Sequence, residues 1–198
     1  KYTIQYSSCK KNMKKFENFT AEDRIDVNLL DNDIHYLNGE IDSENIGKAI
    51  KWILDADLQI KPKKTLKLYI NSTGGDLYEA FALIDVMKKS RHNVSTIGVG
   101  AIMSGAFLIF ASGKKGMRYI GENTGIMNHQ HSDAIDSKMH DMRSAMQENI
   151  NCEYRSFQIL KEATGYTMAK IKAKFDSPSD QYFTAKELVA LNVADHIL

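Results

Sequence analysis

The chain has 198 residues, 43% hydrophobic and 26% charged, an ordinary balance for one globular domain with at most a small appendage. Its 26 basic and 25 acidic side chains leave a net charge of +1, too small a basic excess for a nucleic-acid binder working by bulk electrostatics. Two Pro and 12 Gly exclude collagen-like and low-complexity readings, and two cysteines, Cys9 and Cys152, exclude a multi-bridge disulfide framework and fit a reducing, cytoplasmic compartment.

Lys1 to Lys15 is polar and lysine-rich with no apolar run behind it, so a secretory signal is not expected there, although a chain without an initiating Met leaves a removed targeting peptide open. A flexible, lysine-rich segment is expected over residues 1–22. Strand signals follow at Ile34 to Leu37, Leu66 to Ile70, Val94 to Val99, Arg118 to Ile120 and Gly125 to Asn128. Between them, Ile46, Ala49, Ile50, Ile53 and Leu54 mark one helical face, and Leu77, Ala80, Phe81 and Ile84 mark another. Val94 to Gly113 is 20 residues without a charge, long enough to span a membrane. Its four glycines and four hydroxyl residues fit a buried strand, a tight turn and a buried helix better.

The longest helical period runs from about Asp136 to Thr164, with Met139, Met142, Met146, Ile150, Tyr154, Phe157 and Leu160 on one stripe and Gly165 placed to stop it. Such a rod is about 43 Å long, more than a compact domain of this size needs, so part of it is expected to pack on another subunit. A short last helix starts at Thr184, where Thr184 and Glu187 have capping-box spacing. Strands alternating with helices predict an α/β fold built of crossovers.

Three strand-end turns carry residues capable of chemistry. Asn71-Ser72-Thr73-Gly74-Gly75-Asp76 leads from a strand into a helix start, where backbone N–H groups suit an anion. It lacks the spacing and the lysine of a phosphate loop, which leaves an oxyanion or a plain turn. Gly100-Ala101-Ile102-Met103-Ser104-Gly105 puts a lone hydroxyl at a strand-to-helix junction, either a helix cap or a nucleophile. Met127-Asn128-His129-Gln130-His131 brings an imidazole out of an apolar strand, as a structural histidine, a base or, with His131, a metal ligand. No nearby carboxylate or cysteine completes a metal set, and no metal is expected.

Taken together, Leu68-Tyr69-Ile70-Asn71-Ser72-Thr73-Gly74-Gly75, Gly100 to Leu108, Gly116-Met117-Arg118-Tyr119 and Met127-Asn128-His129-Gln130 resemble the proteolytic subunit of the Clp protease. That family carries a Y-I-N-S-P-G-G turn, a G-x-A-A-S-M-[AG]-A segment and an M-I-H-Q-P segment. The step of 25 residues from Ser104 to His129 (129 − 104) is the family's own. The likeness extends through His35-Tyr36-Leu37-Asn38-Gly39 upstream and to Asp180-Gln181-Tyr182-Phe183-Thr184-Ala185 and Val193-Ala194-Asp195 downstream.

The resemblance implies a ClpP/crotonase-like α/β fold of repeated ββα-type units, one peptidase domain over 23–198, and the long helix as a protruding handle. It implies Ser104 as nucleophile, His129 as general base, Asp180 as the carboxylate that orients it, and the Gly75 and Gly105 amides as oxyanion donors. It further implies seven-membered rings stacked in pairs, unfolded polypeptides as substrates and an AAA+ unfoldase as partner. ATP would be used by that partner and no cofactor bound by this subunit, with neither nucleic acid nor membrane engaged. The alternatives are an inactive ring subunit and, less favoured, a crotonase-type acyl-CoA enzyme.

Several positions depart from the family pattern: Thr73 for Pro, Gly105 for Met, Asn128 for an apolar residue and His131 for Pro. Asp133-Ala134 stands for Gly-Gly, Ser179 for Arg, and two residues are inserted between Gly165 and Asp180. By that likeness the ring-to-ring contacts are the most altered part.

Overall fold

The computed structural model describes residues 20–59, 62–130 and 138–198. The chain divides into two compact units, Lys1–Ile34 and His35–Leu198. In the first, α1 (Ala21–Asp31) starts at Thr20, whose side chain accepts from the Asp23 amide while Asp23 reaches back to the Thr20 amide. Sequence periodicity does not announce this helix, because it buries none of its residues. The remainder of the segment expected to be flexible lies outside the described residues, as do His131 and Asp133-Ala134.

α2 (Ser43–Leu58), in the second unit, follows β1 (Ile34–Asn38) and is capped by Asp42, which accepts from the Asn45 amide. Its buried face is Ile46, Ala49, Trp52, Ile53 and Ala56. Leu54, expected on that face, is exposed. Trp52, not expected on that face, is buried instead and stacks on His35 with ring centroids 5.3 Å apart. Next come β2 (Thr65–Ser72), α3 (Leu77–Lys89), β3 (Asn93–Met103) and α4 (Gly105–Ala111). β4 (Arg118–Ile120) and β5 (Gly125–Asn128) lead to α5 (Met139–Thr164), which Gly165 ends in a left-handed conformation. α6 (Met168–Phe175), β6 (Gln181–Phe183), α7 (Ala185–Ala190) and β7 (His196–Ile197) complete the chain. α7 has the expected capping box between Thr184 and Glu187.

The strands run in the order β1-β2-β3-β4-β7, with β5 paired to β3 and β6 to β5. β2–β3, β3–β4 and β4–β7 are parallel, and β5–β6 is antiparallel. The uncharged Val94 to Gly113 stretch is therefore most of β3 plus α4, and α4 is buried throughout. Among the described residues no helix is long and apolar enough to cross a membrane.

β3 changes partner part-way. Thr96, Ile97 and Gly98 pair with β4, whereas Ala101, Ile102 and Met103 pair with β5. The register against β2 slips from Ile70↔Gly98 to Ser72↔Ile102, so β3 spends two extra residues on a bend. Asn71 fills that bend, its Oδ1 accepting from the Ala101 amide at 2.9 Å. Gly100 sits there with φ 66°, and a Cβ on it would lie 2.3 Å from Asn71 Oδ1. The bend carries the end of β3 away from β4 and places Ser104 beside the end of β5.

A buried guanidinium ties the far side of this unit. Arg118 Nη1 donates to the last-turn carbonyls of two helices, Ala111 at 3.3 Å and Ala163 at 3.1 Å. Its Nε and Nη2 hold the Asp195 carboxylate at 2.9 and 2.7 Å. Asp195 in turn accepts from the Gly116 and Arg118 amides.

Candidate active site

Ser104 occupies the N-cap position of α4, yet its side chain makes no cap hydrogen bond. Its backbone adopts φ 53° and ψ −124°, unfavourable for a residue with a Cβ. The strain is held by Ser104 N–H donating to Met127 O at 3.1 Å and by Phe107 N–H donating to Ser104 O at 3.0 Å. Instead of capping, Ser104 Oγ lies 2.8 Å from His129 Nε2. The helix-cap alternative for this serine is thereby set aside: its hydroxyl faces a base.

On the other side of the ring, His129 Nδ1 is 3.8 Å from Asp180 Oδ1, an ion-pair separation longer than a hydrogen bond. Asp180 is half exposed, with 52% of its side chain accessible. The approach follows from strand register. Asn128 pairs with Gln181 at the end of the β5–β6 ladder, so His129 and Asp180 are the next opposed positions. Asp176 accepts from Gln130 at 3.0 Å, and no hydrogen bond or ion pair joins it to the imidazole among the described residues.

The glycine turn lies against the serine. Gly74 N–H donates to Ser72 Oγ at 3.1 Å, and a Cβ on Gly74 would stand 2.6 Å from Ser104 Cβ. Gly75 forms a parallel bridge with Ile41, in which Ile41 N–H donates to Gly74 O and Asp76 N–H to Ile41 O. That pattern turns the Gly75 amide away from Ile41. Among the described residues neither the Gly75 nor the Gly105 amide has a hydrogen-bond partner. Gly105 has ordinary room for a side chain, with the nearest atom 3.4 Å from a built Cβ, so its glycine is not sterically required. Asp76 caps α3 by accepting from Tyr78 and Glu79 amides, which explains an acidic residue at a turn otherwise suited to anions.

A cavity of about 40 Å³ beside His129 is lined by Gln130, Glu153, Ser156, Phe157, Leu160 and Phe175, among others. A larger cleft of about 380 Å³ lies elsewhere, where the C-terminal ends of α3, α4 and α5 meet. Lys88, Lys114, Lys115 and Arg118 border it, as expected where helix carbonyl ends converge. Among the described residues no cluster of three His, Cys, Asp or Glu side chains could hold a metal.

The Clp protease family pattern matches residues 18–198. The chain belongs to the Clp protease family. The proteolytic subunit 1 of the ATP-dependent Clp protease of Leifsonia xyli subsp. xyli (strain CTCB07) is 33% identical over 170 residues, covering 85% of this chain and 84% of that one. Proteolytic subunit 2 of Rhodococcus jostii (strain RHA1) is 29% identical over 176 residues, covering 89% of each. Both Ser104 and His129 lie in the matched span of this Clp-family peptidase, as do Asp180 and the two glycines.

Sequence reasoning missed three features around this site: the backbone strain at Ser104, the β6 strand that Asp180 leads into, and helix α6 behind it. Thr167 with Ile171 four residues on, and Phe175 four further, was the available signal for α6.

Proposed function

We propose that this chain is a proteolytic subunit of an ATP-dependent Clp protease, hydrolysing peptide bonds of unfolded polypeptides with Ser104, His129 and Asp180. The 2.8 Å contact between His129 Nε2 and a serine hydroxyl that caps no helix carries the reading. Ser104 Oγ attacks the peptide carbonyl as its proton passes to His129 Nε2. The oxyanion takes the Gly75 and Gly105 amides, two donors with no other partner among the described residues. His129 returns the proton to the leaving amine, and water repeats the sequence on the acyl-enzyme. Asp180 orients the imidazole: the two groups stand 3.8 Å apart here and close to hydrogen-bond distance around bound substrate, as catalytic contacts do.

The test compares two carboxylates. Asp180→Asn should lower kcat by about 10³- to 10⁴-fold with little change in thermal stability. Asp176→Asn should be much the milder change, below about tenfold, because Asp176 bonds to Gln130 rather than to the ring. A reversed order would overturn Asp180 as the third member. Failure of a fluorophosphonate probe to label Ser104 in the unmodified protein would favour the inactive ring subunit instead.

Assembly into seven-membered rings stacked in pairs, fed by an AAA+ unfoldase in the cytoplasm, belongs to the same proposal. The subunit itself would bind no cofactor, ATP being consumed by the unfoldase. α5 supports it: Met139, Met142, Met146, Ile150 and Tyr154 are all exposed, whereas Phe157 and Leu160 farther along are buried. An apolar stripe of that length on one subunit calls for a neighbour. Ser179 supplies no guanidinium for a ring-to-ring contact, so stacking should be weak. Sedimentation over a dilution series should show single and double rings exchanging with salt and concentration. A double ring intact at nanomolar subunit would contradict this.

A further inference from the structure

We propose that Asn128, Gln130 and Gln181 form a carboxamide clamp on the C-terminal turn of α6, and that this clamp sets how closely His129 and Asp180 approach. They are positioning residues, acting through the histidine and the aspartate; the inference rests on the catalytic reading above.

The last carbonyls of a helix have no partner within it. At the end of α6, Lys174 O accepts from Gln181 Nε2 at 3.1 Å and Phe175 O from Asn128 Nδ2 at 3.1 Å. The helix C-cap, Asp176, accepts from Gln130 Nε2 through Oδ1 at 3.0 Å. One helical turn thus grips residues on both sides of His129 and the residue directly after Asp180.

The faces agree with this division. Side chains alternate along extended chain, so Asn128 and Gln130 share one side and His129 takes the other. Gln181 opposes Asn128 in the ladder and lies on its side, which leaves Asp180 with His129. The contacts follow suit: the three carboxamides reach α6, while His129 reaches Ser104 and Asp180.

The clamp also has a cost that strand pairing does not require. Asn128 is buried, and Gln181 Oε1 is a buried acceptor without a donor among the described residues. Turning the Gln181 amide over would set Oε1 against the Lys174 carbonyl, so the orphan atom comes with the bond. Two apolar residues opposite each other would hold the strands together without leaving it. Amides supply direction and distance relative to the helix end. The 3.8 Å between His129 and Asp180 is a separation at which a shift of about 1 Å decides whether the bond exists.

The experiment measures kcat and KM on a fluorogenic peptide, the rate of fluorophosphonate labelling of Ser104, and assembly mass. Asn128→Asp keeps the shape and removes the donor; Gln181→Leu removes its bond. Each should lower kcat and the labelling rate roughly ten- to hundred-fold, with KM within about twofold and assembly unchanged. Gln130→Glu sets two carboxylates against each other. Adding Asp176→Asn reverses donor and acceptor and should restore kcat to within about threefold of the starting protein. If Asn128→Asp and Gln181→Leu both keep kcat within about twofold, or raise KM alone, the clamp is wrong while the catalytic reading stands. An unmodified protein that does not react with the probe overturns both.

Discussion

Replacing Ser104 with Ala should reduce peptide hydrolysis by about 10⁴-fold or more while leaving the fold intact. The hydroxyl is the atom 2.8 Å from His129 Nε2, and it bonds to nothing that stabilises α4. The backbone strain at φ 53° remains with Ala, so the thermal midpoint should move by no more than about 2 °C. Residual activity above about a tenth of the starting value would reject Ser104 as the nucleophile.

The largest loss of stability should follow Arg118→Leu. That substitution strips the Ala111 and Ala163 carbonyls of their donor and leaves the Asp195 carboxylate without its cation. Breaking a buried pair from one side costs about 3–5 kcal/mol, or on the order of 10 °C for a domain of this size. The same pair gives a pH signature. Burial alone would raise the Asp195 carboxyl, but the hydrogen bonds and charge of Arg118, with the Gly116 amide, outweigh it and hold its pKa below the ordinary value. A carboxyl lowered in the folded state stabilises fully above its unfolded value of about 3.9, and that contribution fades as pH falls through the folded value. The urea midpoint gap between the unmodified protein and Asp195→Asn should therefore be flat from about pH 7 to 5 and close below about pH 4. A gap that widens on acidification would contradict the pairing.

What the sequence disclosed followed from strong local signals. The turns at Gly74-Gly75, Ser104 and His129 each join a readable strand to a small or polar residue, and their joint spacing carries the family. α2, α3 and α5 announce themselves because each has an apolar stripe several turns long. The pieces left unread are short or lack a stripe. β6 has three residues and β7 two, below any periodicity, and α1 buries nothing. Asp180 was singled out from the Gln181 to Ala185 pattern, whereas the proposed clamp that would set its distance from His129 involves α6, 12 to 5 residues earlier in the chain. Arg118 and Asp195 were both visible as residues, 77 apart, but only the fold makes them a pair.

The partner change along β3 also orders events in time. Ser104 directly follows a strand whose first half can pair with β2 and β4, all complete by Ile120. Its second half also pairs with β5, and β5 in turn pairs with β6, whose residues 181–183 come long after β5 in the sequence. Domains made of such distant pairings condense late, after most of the polypeptide exists. A ribosome-bound or truncated chain ending before β6 would contain the serine and the imidazole but no opposing strand to bring Asp180 to them. The proposed hydrolytic centre would thus be withheld from the unfinished molecule, which is itself an unfolded polypeptide of the kind proposed as substrate.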